Sequence, residues 1–403
     1  MDYEYIKQNA SHLGKCGEHL HWHYLSGALY IEGKGEMTEF PWHKLYAGQI
    51  EAVYVGNGCG NIQRGAFHDC PCLKTVEIPE SVKIIDAFAF RRCKNLQTVT
   101  LAEGLAEIKQ YAFDQCESLS EIWFPKSLRR VGAYAFRRCS SLQMIKLPPA
   151  MPEKENVFEK CDHVRTVWIP ADGCHYEIES LKAFPNVEAY SVEEGNECLV
   201  SQDGVLYDSE KKNLIAYPCQ KKGPCQIAEG VLSIGRGAFA LCKGISAVAM
   251  PDEIREVGAG AFHACQALET IHLPNSVQRI GAAAFQLCTA LNTVILPAGL
   301  TRIEYNTFYL CRSLTSVGPV ETVTSIGKHA FCACTGLLSF EISESVTEIG
   351  EWAFYRCSNI ASIRIPDSVK AIGEAAFQNV PHIVYHGPAQ SDDDWGAKSR
   401  NCV

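Results

Sequence analysis

Residues 265–288 read CQALETIHLPNSVQRIGAAAFQLC, which is one full copy of the unit that builds most of the chain. Ile271 and Leu273 alternate with polar neighbours, and this alternation predicts a strand with one buried face. Pro274 should end the strand, because proline has no amide hydrogen to donate to a sheet. The first half of the unit therefore predicts a short strand and a stop.

The second half of the unit is expected to return on the opposite side. Val277 and Ile280 supply its apolar residues, and Gly281 should permit a turn that brings a short helical segment, Ala284-Phe285, inward. One such coil cannot bury its apolar residues alone, whereas stacked coils can. The unit therefore predicts a stacked repeat protein wherever it recurs.

The unit recurs along the chain with a period of 23 residues. Steps between its phenylalanines are all 23 residues except one of 22 and one of 81. The strand position of Ile169 recurs at Val192, and that of Ile227 recurs at Met250, so the coils continue through the long step with a net insertion of 12 residues. About fourteen coils are expected. The recurring phenylalanines are Phe67, Phe90, Phe113, Phe136, Phe158, Phe239, Phe262, Phe285, Phe308, Phe331, Phe354 and Phe377.

The insertion lies within residues 193–226. Asp203-Gly204 is typical of a tight turn, and apolar runs flank the polar stretch DSEKKN. We expect a β-hairpin that protrudes from its coil.

The period also assigns most of the 20 cysteines, which lie three residues after the recurring phenylalanine. Equivalent residues of adjacent coils are about 4.8 Å apart with parallel Cβ vectors, which disfavours disulfides. This ladder is interpreted as buried thiols that act as small hydrophobic residues. Cys219 and Cys225 could pair, although nothing requires it. The cysteines off the ladder are Cys16, Cys59, Cys72, Cys174, Cys198, Cys219, Cys225, Cys332 and Cys402. So many free thiols favour a reducing compartment.

The unit C-x-x-L-x-x-I-x-L-P-x-S-V-x-x-I-G-x-x-A-F resembles the BspA-like class of bacterial leucine-rich repeats over roughly residues 50–385. The resemblance implies an α/β, β-rich fold, a right-handed curved solenoid (superhelix) with a parallel sheet on its concave side. It also implies an N-terminal β-hairpin cap over residues 1–49, which ends in Pro41-Trp42, and a C-terminal cap over residues 386–403. One coil departs from the unit because Pro319 comes one position early.

Composition and charge argue against some classes of partner and bear on the cellular compartment. The net charge of −9 and the pI of about 5.8 argue against nucleic acid or an anionic membrane as the main partner. No apolar run is long enough for a transmembrane helix, and no secretory signal opens the sequence. These features favour the cytoplasm, whereas the resemblance implies a cell-surface or secreted protein that binds proteins or host surfaces.

One row of side chains should point outward from the sheet, and it contains two tryptophans. Trp123 and Trp168 are two coils apart with Lys146 between them, and exposed tryptophans are costly unless they are used. We expect Tyr54, Glu121, Trp123, Lys146 and Trp168 to form part of a concave surface that binds a protein partner, with a surface glycan as a variant. The alternative is that the caps or the hairpin cover these rings.

Two basic pairs, Arg91-Arg92 and Arg137-Arg138, flank recurring phenylalanines on the outside of the coils. They are expected to aid solubility, although they could contribute to the footprint of an acidic partner.

No catalytic constellation emerges, so neither an enzyme nor a cofactor is expected. His19, His21 and His23 alternate and could hold a metal ion, but such a row is more often the exposed face of a cap strand. The paired cysteines Cys70-Pro-Cys72 and Cys332-Ala-Cys334 lack a second pair at zinc-site spacing. The favoured function is a binding scaffold, and the alternative is a structural or self-associating repeat protein.

Overall fold

The fold was examined in a computed structural model, which describes residues 3–148, 156–174, 176, 181–182, 184–318 and 320–385. The chain forms a parallel β-solenoid of about 15 turns, and it divides into two compact units, residues 1–199 and 200–403. Pro319 and the expected C-terminal cap over 386–403 lie outside the described residues.

Unit 1 begins with a cap and continues with coils. Its elements are α1 (Tyr3–Asn9), β1 (His12–Lys15), β2 (Leu20–Leu25), β3 (Ala28–Gly33), α2 (Trp42–Tyr46), β4 (Ala52–Val55), β5 (Asn61–Ile62), β6 (Thr75–Ile78), β7 (Ile84–Ile85), β8 (Thr98–Leu101), β9 (Glu107–Ile108), β10 (Glu121–Ile122), β11 (Arg130–Val131), β12 (Met144–Lys146), β13 (Thr166–Ile169) and β14 (Ala189–Val192).

Unit 2 begins with an antiparallel meander. Its elements are β15 (Leu199–Gln202), β16 (Val205–Asp208), β17 (Asn213–Ala216), β18 (Gly223–Gln226), β19 (Ser233–Ile234), β20 (Ile245–Ala249), β21 (Glu256–Val257), β22 (Thr270–His272), β23 (Arg279–Ile280), β24 (Thr293–Ile295), β25 (Arg302–Ile303), β26 (Ser316–Gly318), β27 (Ser325–Ile326), β28 (Glu348–Ile349), β29 (Ile363–Ile365), β30 (Ala371–Ile372) and β31 (Ile383–Tyr385).

Most coils contribute a longer strand and a two-residue strand to separate parallel ladders. In unit 1 the longer strands form the sheets β1-β2-β3-β4-β6-β8 and β10-β12-β13-β14, and the short strands form β11-β9-β7-β5. The registers step by one repeat, so that Ile169 pairs with Val192 as the sequence predicts. Inward-facing residues of both ladders form the core.

The cap of unit 1 is a three-stranded antiparallel sheet rather than a simple hairpin. Its third strand, β3, pairs in parallel with the first coil strand, β4, so the cap continues directly into the solenoid. Trp42 is fully buried, donates its indole N–H to the carbonyl oxygen of Ala66 over 2.8 Å and stacks on Phe67. This tryptophan therefore begins the aromatic column that runs through the coils.

The Ala-Phe segment forms consecutive turns, so the expected helical segment is wrong. In the coil of Phe285, Ala283 and Leu287 have positive φ angles of 56° and 63°, which no helix contains. The amide nitrogens of Ala283, Phe285 and Leu287 donate to carbonyl oxygens of the next coil over 2.8–2.9 Å. The turns therefore add a third line of hydrogen bonds between coils. The two helices whose bounds are given, α1 and α2, both lie in the cap.

Phenylalanine rings and cysteine thiols fill the side of the core next to these turns. Neighbouring rings stack from Trp42 to Phe158 and from Tyr217 to Phe377, and Phe184 lies tilted by 44° against Phe158. The ring centroids are 5.1–5.5 Å apart from Trp42 to Phe184 and 4.6–5.4 Å apart from Tyr217 to Phe377. The Cys288 thiol donates to the carbonyl oxygen of Phe262 in the preceding coil over 3.0 Å, and other ladder thiols repeat this bond. The ladder cysteines are buried and free, as predicted, but they act as hydrogen-bond donors as well as hydrophobic residues.

The repeat glycine is required by close packing of coils. Gly281 does not have a positive φ, so the expectation that it supplies conformational freedom is wrong. A Cβ atom at Gly281 would lie 2.4 Å from the amide nitrogen of Ala259 in the preceding coil. Asp86 and Lys109 replace this glycine in adjacent coils and form an ion pair at 3.1 Å.

A phenylalanine at an inward strand position coincides with an interruption of the longer-strand ladder in each unit. Phe124 packs edge-on against Phe136 at 5.5 Å, next to the gap between the sheets that contain β8 and β10. Phe340 packs against Phe354 at 5.0 Å, and residues 339–342 form no strand. Because this ring reaches further across the core than isoleucine, we attribute both interruptions to the larger side chain.

The insertion is part of the solenoid wall, so the expectation of a protruding hairpin is wrong. Asp203-Gly204 forms the predicted tight turn, with φ angles of 52° and 76°, between β15 and β16. Strands β16 and β17 pair antiparallel, and β17 then pairs in parallel with the short strand β19. Leu206 and Leu214 are buried, which explains why the insertion stays against the core.

One disulfide differs from the sequence-based expectation. Cys174 and Cys198, which had no assigned partner, are bonded with Cα atoms 5.3 Å apart. Cys219 and Cys225 remain free thiols. Neither bonded cysteine lies on the ladder, so the repeat period gave no signal for the pair.

Gly281→Ala tests the packing role of the repeat glycine. The new methyl group must displace backbone of the preceding coil, so we expect the free energy of unfolding to fall by about 1–3 kcal/mol. Gly299→Ala is the matched control, because no atom lies within 4 Å of its Cβ position. Thermal unfolding should separate the two variants, and equal melting temperatures would contradict the packing role.

Candidate functional site

The outward row of the sheet β10-β12-β13-β14 contains the two predicted tryptophans. Lys146 and Trp168 lie in register on neighbouring strands, and Trp123 follows β10 at the equivalent position. The exposed fractions of Trp123 and Trp168 are 49% and 36%, so neither ring is covered as the alternative required. Adjacent strands are about 4.8 Å apart, which places the two tryptophan positions roughly 10 Å apart.

A third apolar side chain, Met144, widens this surface. It is 39% exposed and lies two residues before Lys146 on the same strand face. We call Trp123, Met144, Lys146 and Trp168 the tryptophan surface. Sequence reasoning missed Met144, although a methionine in a row of threonines and serines was a usable signal.

Lys146 is held by an acid two coils further along the chain. Its ammonium group lies 2.9 Å from Glu193 Oε2, and the same oxygen accepts the backbone N–H of Ala171 over 3.0 Å. The hydrogen bond from Lys146, followed by that from Ala171, lowers the pKa of Glu193 below its ordinary value. Because Trp168 lies on the strand between Lys146 and Glu193, the ion pair spans the strand that carries this ring. Glu193 was missed because it occupies the position of the strand-ending proline, Pro170 in the preceding coil, which carries no signal for an ion pair.

Of the other two predicted residues, one borders the tryptophan surface and one lies apart from it. Glu121 is exposed and pairs in register with Met144, so it borders the tryptophan surface. Tyr54 belongs to the sheet that begins with the cap, and it stacks on Tyr30 with ring centroids 5.1 Å apart. Tyr54 therefore has an aromatic partner within the protein and lies three coils from Trp123.

The arginine pairs are less available than the sequence indicates. Asp114 has no exposed side-chain area and contacts Arg91 Nε at 3.0 Å and Arg137 Nε at 2.8 Å. The hydrogen bond to Asp114 raises the pKa of Arg137. Arg92 lies 3.7 Å from the half-exposed carboxylate of Asp69. Arg91 and Arg137 thus neutralise a buried acid, and the exposed cations of these pairs are Arg92 and Arg138.

The histidine row does not form a common site in the structure. His23 is buried with Nε2 3.2 Å from Glu32 Oε1, whereas His19 is exposed and His21 is half-buried. Within the described part of the chain, no three His, Cys, Asp or Glu side chains are arranged to hold a metal ion. There too, none of the helices has the length and apolarity needed to cross a bilayer.

Comparison with known proteins identifies the repeat. The family model of the BspA-type leucine-rich-repeat region matches in six copies over residues 60–186, 217–337 and 301–385. No functionally curated protein matches the chain.

Solved structures show the same fold over almost the whole chain. A leucine-rich-repeat protein from Eubacterium ventriosum is 23% identical, with 96% of this chain and 98% of that chain covered and a TM-score of 0.65. A leucine-rich-repeat protein from Bacteroides ovatus is also 23% identical, with 91% of this chain and 93% of that chain covered and a TM-score of 0.53. The pneumococcal vaccine antigen PcpA is 19% identical, with 94% of this chain and 100% of that chain covered and a TM-score of 0.58. At these identities the comparison establishes the architecture.

The Lys146–Glu193 ion pair predicts a pH dependence. A carboxylate with a lowered pKa keeps its charge as the pH falls, so the pair should be complete above the ordinary glutamate pKa of about 4.3 and be lost only below it. NMR titration of Glu193 measures this directly. Lys146→Met should return the Glu193 pKa toward its ordinary value, and an unchanged titration in that variant would contradict the pairing.

Asp114→Ala tests the buried ion network. The substitution leaves Arg91 and Arg137 without their shared carboxylate, and we expect a loss of about 3 kcal/mol in the free energy of unfolding. Asp69→Ala removes a half-exposed acid near Arg92 and should cost less than about 1 kcal/mol. Thermal unfolding compares them, and a loss at position 114 no larger than at position 69 would refute the network.

Proposed function

This chain belongs to the BspA-type leucine-rich-repeat family, and we propose that it is a non-catalytic scaffold that binds a protein partner through the tryptophan surface. The repeat family suggests protein-interaction and surface scaffolds, which is the general class of this proposal. The observation that carries the specific proposal is the exposure of Trp123, Met144 and Trp168 together on one face of a hydrogen-bonded sheet.

The chemistry of these side chains favours a protein over a glycan. Tryptophan and methionine are enriched in protein interfaces, where aromatic rings supply most of the binding energy. A methionine thioether also adapts its shape to irregular apolar surfaces. The sheet backbone fixes the two rings before a partner arrives, which reduces the entropy lost on binding.

The partner-binding test compares the wild-type chain with Trp123→Ala/Trp168→Ala. Proteins captured from host extract and from the producing cell's lysate on the immobilised wild-type chain would be purified and titrated by calorimetry. Loss of both anchors should weaken binding by at least about 30-fold, since one hot-spot residue alone contributes at least about 2 kcal/mol and two such contributions do not add in full. Tyr305→Ala, which removes a 56% exposed ring from the short-strand side of unit 2, should bind as the wild type does.

Two results would redirect the proposal. Unchanged affinity of the double variant for every purified partner would refute recognition through the tryptophan surface. A wild-type dimer in light scattering that the double variant converts to a monomer would assign the same surface to self-association.

A further inference from the structure

The loops beside the tryptophan surface are joined at two points. Asn196 Nδ2 donates to the carbonyl oxygens of Pro170 and Gly173, both over 2.8 Å, and its Oδ1 accepts the backbone N–H of Cys198. The Cys174–Cys198 disulfide joins the same loops covalently. The segment 193–198 is thereby fixed against the segment 170–174.

These loops also hold the acid that fixes Lys146. Glu193 begins the second loop, and its carboxylate accepts the backbone N–H of Ala171 in the first loop over 3.0 Å. The position of this carboxylate therefore depends on the separation of the two loops. Since Lys146 is bonded to Glu193 across the strand of Trp168, a movement of the loops would reach the tryptophan surface.

Only a few of the described cysteines are open to exchange with external thiols. Cys174, Cys198 and Cys72 are half-buried, and the other described cysteines are buried. Burial raises the pKa of the ladder thiols, which keeps them in the unreactive protonated form. Mild oxidation and reduction should therefore act on the Cys174–Cys198 pair while the ladder stays reduced.

We propose that the Cys174–Cys198 disulfide is a reversible clasp that fixes the Lys146–Glu193 ion pair, and so makes the geometry of the tryptophan surface depend on redox state. The inference rests on the proposed function of that surface. Closure requires an external disulfide such as oxidised glutathione. One cysteine thiolate attacks it and releases a glutathione thiolate; the second attacks the resulting mixed disulfide and releases another. Two protein thiols are oxidised, and two glutathione thiols receive their protons.

Thiol counting tests selective closure. The full chain is equilibrated in glutathione buffers, unfolded in N-ethylmaleimide and weighed by mass spectrometry. We expect eighteen of the twenty cysteines to be alkylated after oxidation and all twenty after reduction, with Cys174 and Cys198 linked in the peptide map. Twenty alkylated cysteines under oxidising conditions, or linkage of another pair, would overturn the proposal.

Fluorine NMR tests the coupling to the surface without any partner. The chain has six tryptophans, and in 5-fluorotryptophan-labelled protein the Trp168→Phe variant assigns the Trp168 resonance. Reduction should shift this resonance by more than its linewidth and leave that of buried Trp22 unchanged. Cys174→Ser/Cys198→Ser should reproduce the reduced position in any buffer, whereas Cys72→Ser should match the wild type.

Lys146→Met separates the clasp from a merely structural disulfide. If the coupling passes through the ion pair, reduction should no longer shift the Trp168 resonance in this variant. A resonance that is the same in oxidised wild type and in Cys174→Ser/Cys198→Ser would overturn the clasp even if partner binding were real. A redox shift without any partner affinity would refute the proposed function alone.

Discussion

The inward carbonyl group of each repeat phenylalanine is the group on which the coil depends. The turn that buries the phenylalanine ring also buries the backbone carbonyl oxygen of the same residue, and this oxygen needs hydrogen-bond donors inside the core. Phe262 illustrates the solution, because its oxygen accepts the backbone N–H of Cys265 at 3.2 Å and the thiol of Cys288 at 3.0 Å. Both lone pairs are used, and the second bond joins one coil to the next. Neighbouring coils also contact each other through the stacked rings and through the close approach at the repeat glycine, so these contacts depend on the same distance between coils.

Much of this architecture was predictable, because the 23-residue period fixes which positions face the core. The period located the strands, the continuation to Val192 and the buried thiols. It did not reveal why glycine follows Ile280, since the contact that excludes a Cβ atom comes from the preceding coil. It also did not reveal the turn conformation, because alanine and leucine at positions 283 and 287 carry no signal for positive φ. The integrated hairpin was misjudged for a similar reason, since its pairing with β19 joins segments that share no motif.

The residues of the candidate site likewise divide into those that the repeat predicted and those that it did not. Trp123, Lys146 and Trp168 were recognisable as outward residues because alternation on a strand is a local property. The ion pair to Glu193 and the disulfide beside it arise where the repeat is broken, so no periodic argument could find them. Asp114 shows the opposite case, since an acid at a repeat position that is half-buried in most coils is fully buried beneath Arg91 and Arg137. The features proposed for function therefore cluster where the chain departs from its unit.

The thiol-to-carbonyl bond has a consequence for how such a chain can change in length. In the regular coils, from Cys93 to Cys139 and from Cys265 to Cys357, the ladder thiol takes a phenylalanine carbonyl from the coil before it at a spacing of 26 residues. If a mutation deletes or duplicates a whole 23-residue segment, each ladder thiol at the new junction would still have a phenylalanine carbonyl oxygen as its acceptor. A coil that is one residue shorter also keeps the bond, since the Cys161 thiol donates to the Phe136 carbonyl oxygen over 3.1 Å across a 22-residue step. Unequal recombination between copies is thus a form of mutation that this core tolerates, and arrays of different length can keep the thiol-to-carbonyl bond at each junction between regular coils.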